Sequence, residues 1–242
     1  MKLNISKNAE QLGAAAAAKV SELLRDVIAK QGKARLLVST GASQFEYFKV
    51  LAEDKTVDWS KVEVFHLDEY IGIPETHPAS FRKYLRERFI SKIHPAAFHE
   101  VDGTEANIAE LTAIWKQSPA DIGVIGIGEN AHIAFNDPPA DFDTKEVYKI
   151  VNLDEACRRQ QLGEGWFPTF DDVPKQAVSM TVNAILQCGV IVSVVPHAVK
   201  AKAVKGALES PEITPDIPAT ALRRHSDWHL YIDENSASLL NK

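Results

Sequence analysis

The chain has 242 residues, 45% hydrophobic and 25% charged, with 27 basic against 33 acidic residues and a formal charge of -6. Roughly 70–75% of the unfolded surface of a chain this long can be buried without a disulfide or a metal, and the composition excludes a disordered chain, a collagen and a cysteine-stapled toxin. The acidic balance argues against a general nucleic-acid or membrane-surface binder, because both need a positive field.

The first helix is expected over Asn8–Gln31, where Leu12, Ala16, Val20, Leu24 and Ile28 recur every four residues. Gly32 is a plausible stop. A strand over Arg35–Ser39 follows, then the loop Ser39-Thr40-Gly41-Ala42-Ser43 and a helix over Gln44–Glu53. Val62–His66 reads as a strand, Ser80–Phe89 as a helix, and Thr104–Gln117 as a helix with Thr104 as N-cap. Ile122–Gly126 reads as a buried strand. Further strands are expected over Val147–Val151, Ala177–Val182, Val190–Val195 and His229–Ile232, and helices over Asp154–Gln161 and Ala198–Glu209. No internal repeat or low-complexity linker interrupts this pattern, so one domain over residues 1–242 is expected. The alternation implies an α/β fold, a Rossmann-like and mostly parallel sheet with helices on both faces.

Cys157 and Cys188 form neither a CxxC pair nor a zinc-ligand spacing. They read as reduced, buried thiols, which suits a cytoplasmic protein. Ala14–Ala18 is followed at once by Lys19 and Glu22, so it belongs to an amphipathic helix and not to a signal peptide. No window reaches the ~18 apolar residues of a membrane span.

In parallel α/β sheets, ligands sit outside the carboxyl ends of the strands. That rule directs attention to residues 39–44, 67–74 and 126–138. The first loop offers two hydroxyls and the backbone N–H groups of a helix start, which suit a phosphate, though an ordinary helix cap explains it equally. In the second, Asp68 and Glu69 stand side by side. One could face the crevice as a base while the other turns away, or both could be solvated loop acids. In the third, His132 is flanked by Asn130 and Asp137. A histidine beside an acid in a strand-end loop is a candidate for proton transfer. Among other conspicuous residues, Trp166 and Phe167 read as packing, Asp171-Asp172 and Glu53-Asp54 as solvated faces, and His197 lies just before the helix that carries Lys200.

Together the three loops resemble the glucosamine-6-phosphate deaminase/isomerase family. Leu67-Asp68-Glu69-Tyr70 with Gly72 and His77-Pro78 looks like its LDEY-x-G segment, His132-Ile133-Ala134-Phe135-Asn136-Asp137-Pro138 like its GHIAFNEP segment, and Ser39–Ser43 like its phosphate loop. The resemblance implies a phosphorylated amino sugar as small-molecule substrate, ring opening, aldose-to-ketose isomerisation and loss of ammonia. It implies Asp68 as the base that moves a proton from C2 to C1, and His132 as the proton shuttle for ring opening, supported by Asp137 and Asn130. It places Ser39, Thr40, Gly41, Ala42, Ser43 and Lys200 around the phosphate, with Arg158 the best match for a phosphate-binding arginine and Arg159 beside it. No cofactor, metal, nucleic acid or membrane is expected, and a homo-oligomer is left open.

The sequence departs from the family at three places in the third loop. Asn130 stands where the family usually has Asp, Ala131 where it has Gly, and Asp137 where it has Glu. The stretch from Cys157 to Phe167 also differs, at the place of a substrate lid. Two rival readings follow: a sugar-lactone hydrolase of the 6-phosphogluconolactonase type, in which His132 activates water, and a phosphosugar sensor that has lost the chemistry.

Overall fold

The computed structural model describes residues 1–163 and 165–241. The strands, in chain order, are β1 (Lys2–Ser6), β2 (Ala34–Val38), β3 (Val62–His66), β4 (Asp68–Tyr70), β5 (Ala97–His99), β6 (Ile122–Val124), β7 (Tyr148–Asn152), β8 (Gln176–Met180), β9 (Val190–Val195) and β10 (Trp228–Asp233). The α-helices are α1 (Ala9–Gln31), α2 (Phe45–Leu51), α3 (Phe81–Leu85), α4 (Ser91–Ile93), α5 (Glu105–Gln117), α6 (Glu155–Gly163), α7 (Val182–Ile185) and α8 (Ala201–Glu209).

Seven strands form one sheet in the order β1-β10-β9-β6-β2-β3-β5, and every pairing in it is parallel. Its central strands are apolar on both faces, as a sheet covered on both sides requires. Along β2, Leu36 and Val38 join one core with Val62, Val64, Val124 and Val192. Leu37 points the other way, into a second core with Phe65, Trp115, Ile191 and Trp228. Helix α1 covers the first core with Leu12, Ala16, Val20 and Leu24, all buried. Burying each large apolar side chain of that stripe contributes about 1.5–3 kcal/mol. Asn8 starts the helix by accepting from the Gln11 N–H at 2.9 Å, and Gly32 ends it in the left-handed conformation.

The expected α/β architecture is present, with three differences in detail. The segments expected as strands near 147–151 and 177–182 leave the parallel sheet for a second, antiparallel sheet of order β4-β8-β7, in which β8 pairs with both β4 and β7. The later one stops at Met180 because the Thr181 hydroxyl accepts from the Ala184 N–H and caps α7. The helix expected over Ser80–Phe89 divides into α3 and a π-helical turn, Arg86–Ile90. Three strands were not expected: β1 alternates polar and apolar residues over Lys2–Ser6 at a solvent-facing edge, and β4 and β5 span only three residues each.

Register aligns the strand ends that matter. Val38 pairs with His66 on one side and with Val124 on the other, and Val124 pairs with Val192. From β2 the chain runs on to β3, whereas from β6 it reaches β9 on the opposite side. Loops leaving neighbouring strands in opposite directions open a crevice between them.

Candidate active site

That crevice is a cavity of about 350 Å³. Ser39, Thr40, Gly41, Ala42 and Ser43 line one side, Asp68 and the 126–132 turn line another, and Lys200 closes a third. The two loops after β2 and β6 are joined directly. Ser39 N–H donates to Val124 O at 3.1 Å, and Gly126 N–H donates to the Ser39 hydroxyl at 3.1 Å. Gly41 turns the first loop at φ 104°, a conformation that favours glycine. Its carbonyl accepts from the Tyr84 hydroxyl at 3.0 Å and from Gln44 N–H at 3.0 Å.

The two neighbouring acids take opposite roles because successive residues of a strand face opposite ways. Glu69 is fully buried and held by donors: Ser80 Oγ and Arg82 N–H reach its Oε2 at 2.9 and 2.8 Å, and Tyr70 N–H reaches its Oε1 at 2.9 Å. It anchors the start of α3. Asp68 lines the cavity and is only 6% exposed. Burial, and then the neighbouring Glu69 charge, push its carboxyl up to about 8.

The turn after β6 is tight. Gly128 N–H donates to His132 O at 2.9 Å, and Ala131 N–H donates to Gly128 O at 3.1 Å. Ala131 sits at φ 67°, so the alanine found in place of glycine does occupy a left-handed, strained position. His132 Nδ1 lies 3.1 Å from Asp137 Oδ1. Asn130 Nδ2 donates to the same Oδ1 at 2.9 Å, while Asn130 Oδ1 accepts from His132 N–H at 3.1 Å. Burial works against the ionised form of Asp137, but His132, Asn130 and Cys157 outweigh it and hold the carboxyl below its usual range. Asn136 pins the turn to β8, donating to Ile133 O and Met180 O, each at 2.8 Å.

Ser39 to Ser43, Asp68, His132 and Lys200 therefore meet on one cavity. Asn130 and Asp137 stand behind His132 and support it. Arg158 is elsewhere. Its guanidinium donates to Phe170 O at 2.8 Å and Val173 O at 2.9 Å and lies over the Phe170 ring, so it is committed to the fold of the 170–173 turn. Arg159 pairs with Glu155 on the surface. The expectation of an arginine at the phosphate thus finds neither residue on the cavity. Within the variant 157–167 stretch, Glu164 lies outside the described residues. Phe167 packs against Tyr70 and His77, but Trp166 stands on the cavity rim, 44% exposed. Gln161, whose carbonyl accepts from the Tyr70 hydroxyl, also lines the cavity. Neither Gln161 nor Gln44, another lining residue, carries a sequence signal apart from its place in a strand-end loop or lid. No helix among the described residues is long and apolar enough to cross a membrane.

Fold and cavity place the chain among parallel α/β enzymes with a strand-end crevice. Residues 7–231 match the model of the family described as glucosamine-6-phosphate isomerases/6-phosphogluconolactonase, and the chain belongs to that family. A glucosamine-6-phosphate deaminase of Streptococcus sanguinis is 34% identical, over 90% of this chain and 92% of the relative. One of Exiguobacterium sibiricum is 33% identical, over 100% and 94%. The solved structure of a monomeric glucosamine-6-phosphate deaminase superposes with a TM-score of 0.87 at 28% identity, covering 99% of this chain and 100% of that one. A 6-phosphogluconolactonase from Trypanosoma brucei shares the fold, with a TM-score of 0.77 at 16% identity, covering 99% and 98%.

Proposed function

We propose that this protein is an amino-sugar-phosphate deaminase/isomerase that converts glucosamine 6-phosphate, or a related hexosamine phosphate, to a ketose phosphate and ammonia. The observation that carries this reading is the position of Asp68: a buried carboxylate on the same cavity as His132, the 39–43 loop and Lys200. The deaminases among the relatives support it.

In this reading the 39–43 loop and Lys200 hold the phosphate. His132, oriented by Asp137, passes a proton between O5 and O1 as the ring opens, work that suits an imidazole. Asp68 then removes the C2 proton. The open-chain aldehyde accepts the electron pair, and O1 takes up a proton as the C2 ammonium gives one up, giving a C1–C2 enolamine. Asp68 returns the proton to C1, leaving an imine at C2, and water adds there as ammonia departs. One carboxylate serves both carbons because they are adjacent, and its placement supplies most of the rate. A substrate ammonium beside Asp68 favours the carboxylate on binding. The reading draws every contact from one chain and needs no second subunit. We place the reaction in the cytoplasm, in keeping with a phosphorylated substrate.

The test is product stoichiometry. With glucosamine 6-phosphate, ammonia and fructose 6-phosphate are expected in equal amounts. Hydrolysis of 6-phosphogluconolactone with no ammonia from any hexosamine phosphate would overturn the reading.

A further inference from the structure

A phosphate monoester carries a charge of about −1.5 to −2 at pH 7. Among the described residues lining the cavity, Lys200 is the basic side chain of fixed charge, and the acids Asp68 and Glu129 share the same walls. The arginines expected to complete the phosphate site are held elsewhere. A second positive partner must come from another lining residue.

His197 stands at that place. It follows β9 and precedes the turn Ala198–Lys200, and it lines the cavity together with Thr40, Ser43 and Lys200. Its backbone lies at φ 80°, ψ 145°, close to a region that essentially only glycine enters. A glycine would take this conformation without strain, so the imidazole is present against the local backbone preference. The strained residue is also clamped: its N–H donates to both carboxylate oxygens of Asp233, at 3.2 Å each. Asp233 is buried at the end of β10 and is fixed in turn by Ser236 N–H at 2.7 Å. Strain held in place by a second, built-in contact at the rim of a cavity points to use of the side chain.

We propose that His197 is a second phosphate-binding residue, its imidazolium taking with Lys200 the charge that an arginine would otherwise neutralise. This rests on the phosphosugar reading of the same cavity. Lys200 on the same turn as His197 and Asp68, Glu129 and His132 line the same cavity, and Asp233 on β10 accepts from the His197 backbone N–H.

Sulfate is a suitable probe, since its double charge is fixed. Calorimetry on the full chain, at one fixed pH of 6, reads sulfate affinity directly. His197→Gln is expected to bind sulfate about tenfold more weakly at that pH, the weight of one charge-assisted contact. His197→Lys, which keeps a positive charge at that position, should bind sulfate within about threefold of the wild type. With glucosamine 6-phosphate the same Gln variant should raise KM by a similar factor and leave kcat within about threefold. A Gln variant that binds sulfate as the wild type does at pH 6 overturns the inference. Normal deamination by the wild type combined with that result removes His197 alone. Absence of deamination together with the predicted sulfate behaviour removes the activity and leaves the anion site.

Discussion

The His132 imidazole lies directly over the bare backbone of Gly128: a Cβ built at position 128 would fall 2.1 Å from Nε2 and 2.3 Å from Cε1. The glycine is therefore the floor on which the ring rests. Gly128→Ala is expected to displace the ring while leaving the sheet and both cores untouched. A displacement of about 1 Å at a reacting group can cost on the order of 100-fold. Steady-state kinetics should show that loss in kcat/KM, with circular dichroism unchanged.

Asn130 and Asp137 form a matched pair around His132. Asn130 gives its amide N–H to the Asp137 oxygen that also faces the ring. Asn130→Asp would set two carboxylates 2.9 Å apart, where one must take up a proton and the support of the imidazole weakens. About a tenfold loss in kcat/KM is expected, since charged hydrogen bonds contribute about 1.5–3 kcal/mol. Adding Asp137→Glu restores the family's pairing and should recover activity, a non-additivity that a double-mutant cycle measures.

Asp68 links pH to both rate and stability. In the folded chain its carboxyl holds a proton up to about pH 8, against 3.8 for an ordinary aspartate. Between those two values the folded state binds more protons than the unfolded state, so stability falls as pH rises and levels off above about 8. The base form grows over the same interval, so kcat/KM should rise tenfold per pH unit on its ascending limb and flatten near pH 8. Asp68→Asn should melt a few degrees higher than the wild type at pH 8, with the gap closing towards pH 4; at this length 1 kcal/mol moves Tm by about 2–4 °C. Thermal unfolding across that range checks it.

Much of this site was legible in the sequence. Asp68, His132, Lys200 and the 39–43 loop each lie at the end of a strand or the start of a helix whose apolar pattern was plain, and the strand-end rule gathers them on one crevice. The roles of the two acids were not legible. Adjacent carboxylates look alike until β4 is seen, and three residues rich in acid carry no strand signal. Arg158 was misplaced for a related reason. Its partners are the carbonyls of Phe170 and Val173, twelve and fifteen residues away, and backbone acceptors leave no mark on a sequence. The antiparallel sheet was missed because β7 and β8 have the same apolar character as strands of the main sheet, and pairing direction is a property of topology.

Arg158→Gln follows from that correction. Losing donors to the Phe170 and Val173 carbonyls should cost about 1–3 kcal/mol in denaturant unfolding. The KM for the phosphosugar should change by less than about threefold, because the side chain meets the fold and not the phosphate.

The most direct test of the account is the Asp68→Asn variant, incubated with glucosamine 6-phosphate while ammonia and fructose 6-phosphate are followed together. Loss of both products in a folded variant is predicted, because no other side chain is assigned the C2 proton. Full activity in Asp68→Asn would contradict the assignment of the base and the deaminase mechanism built on it.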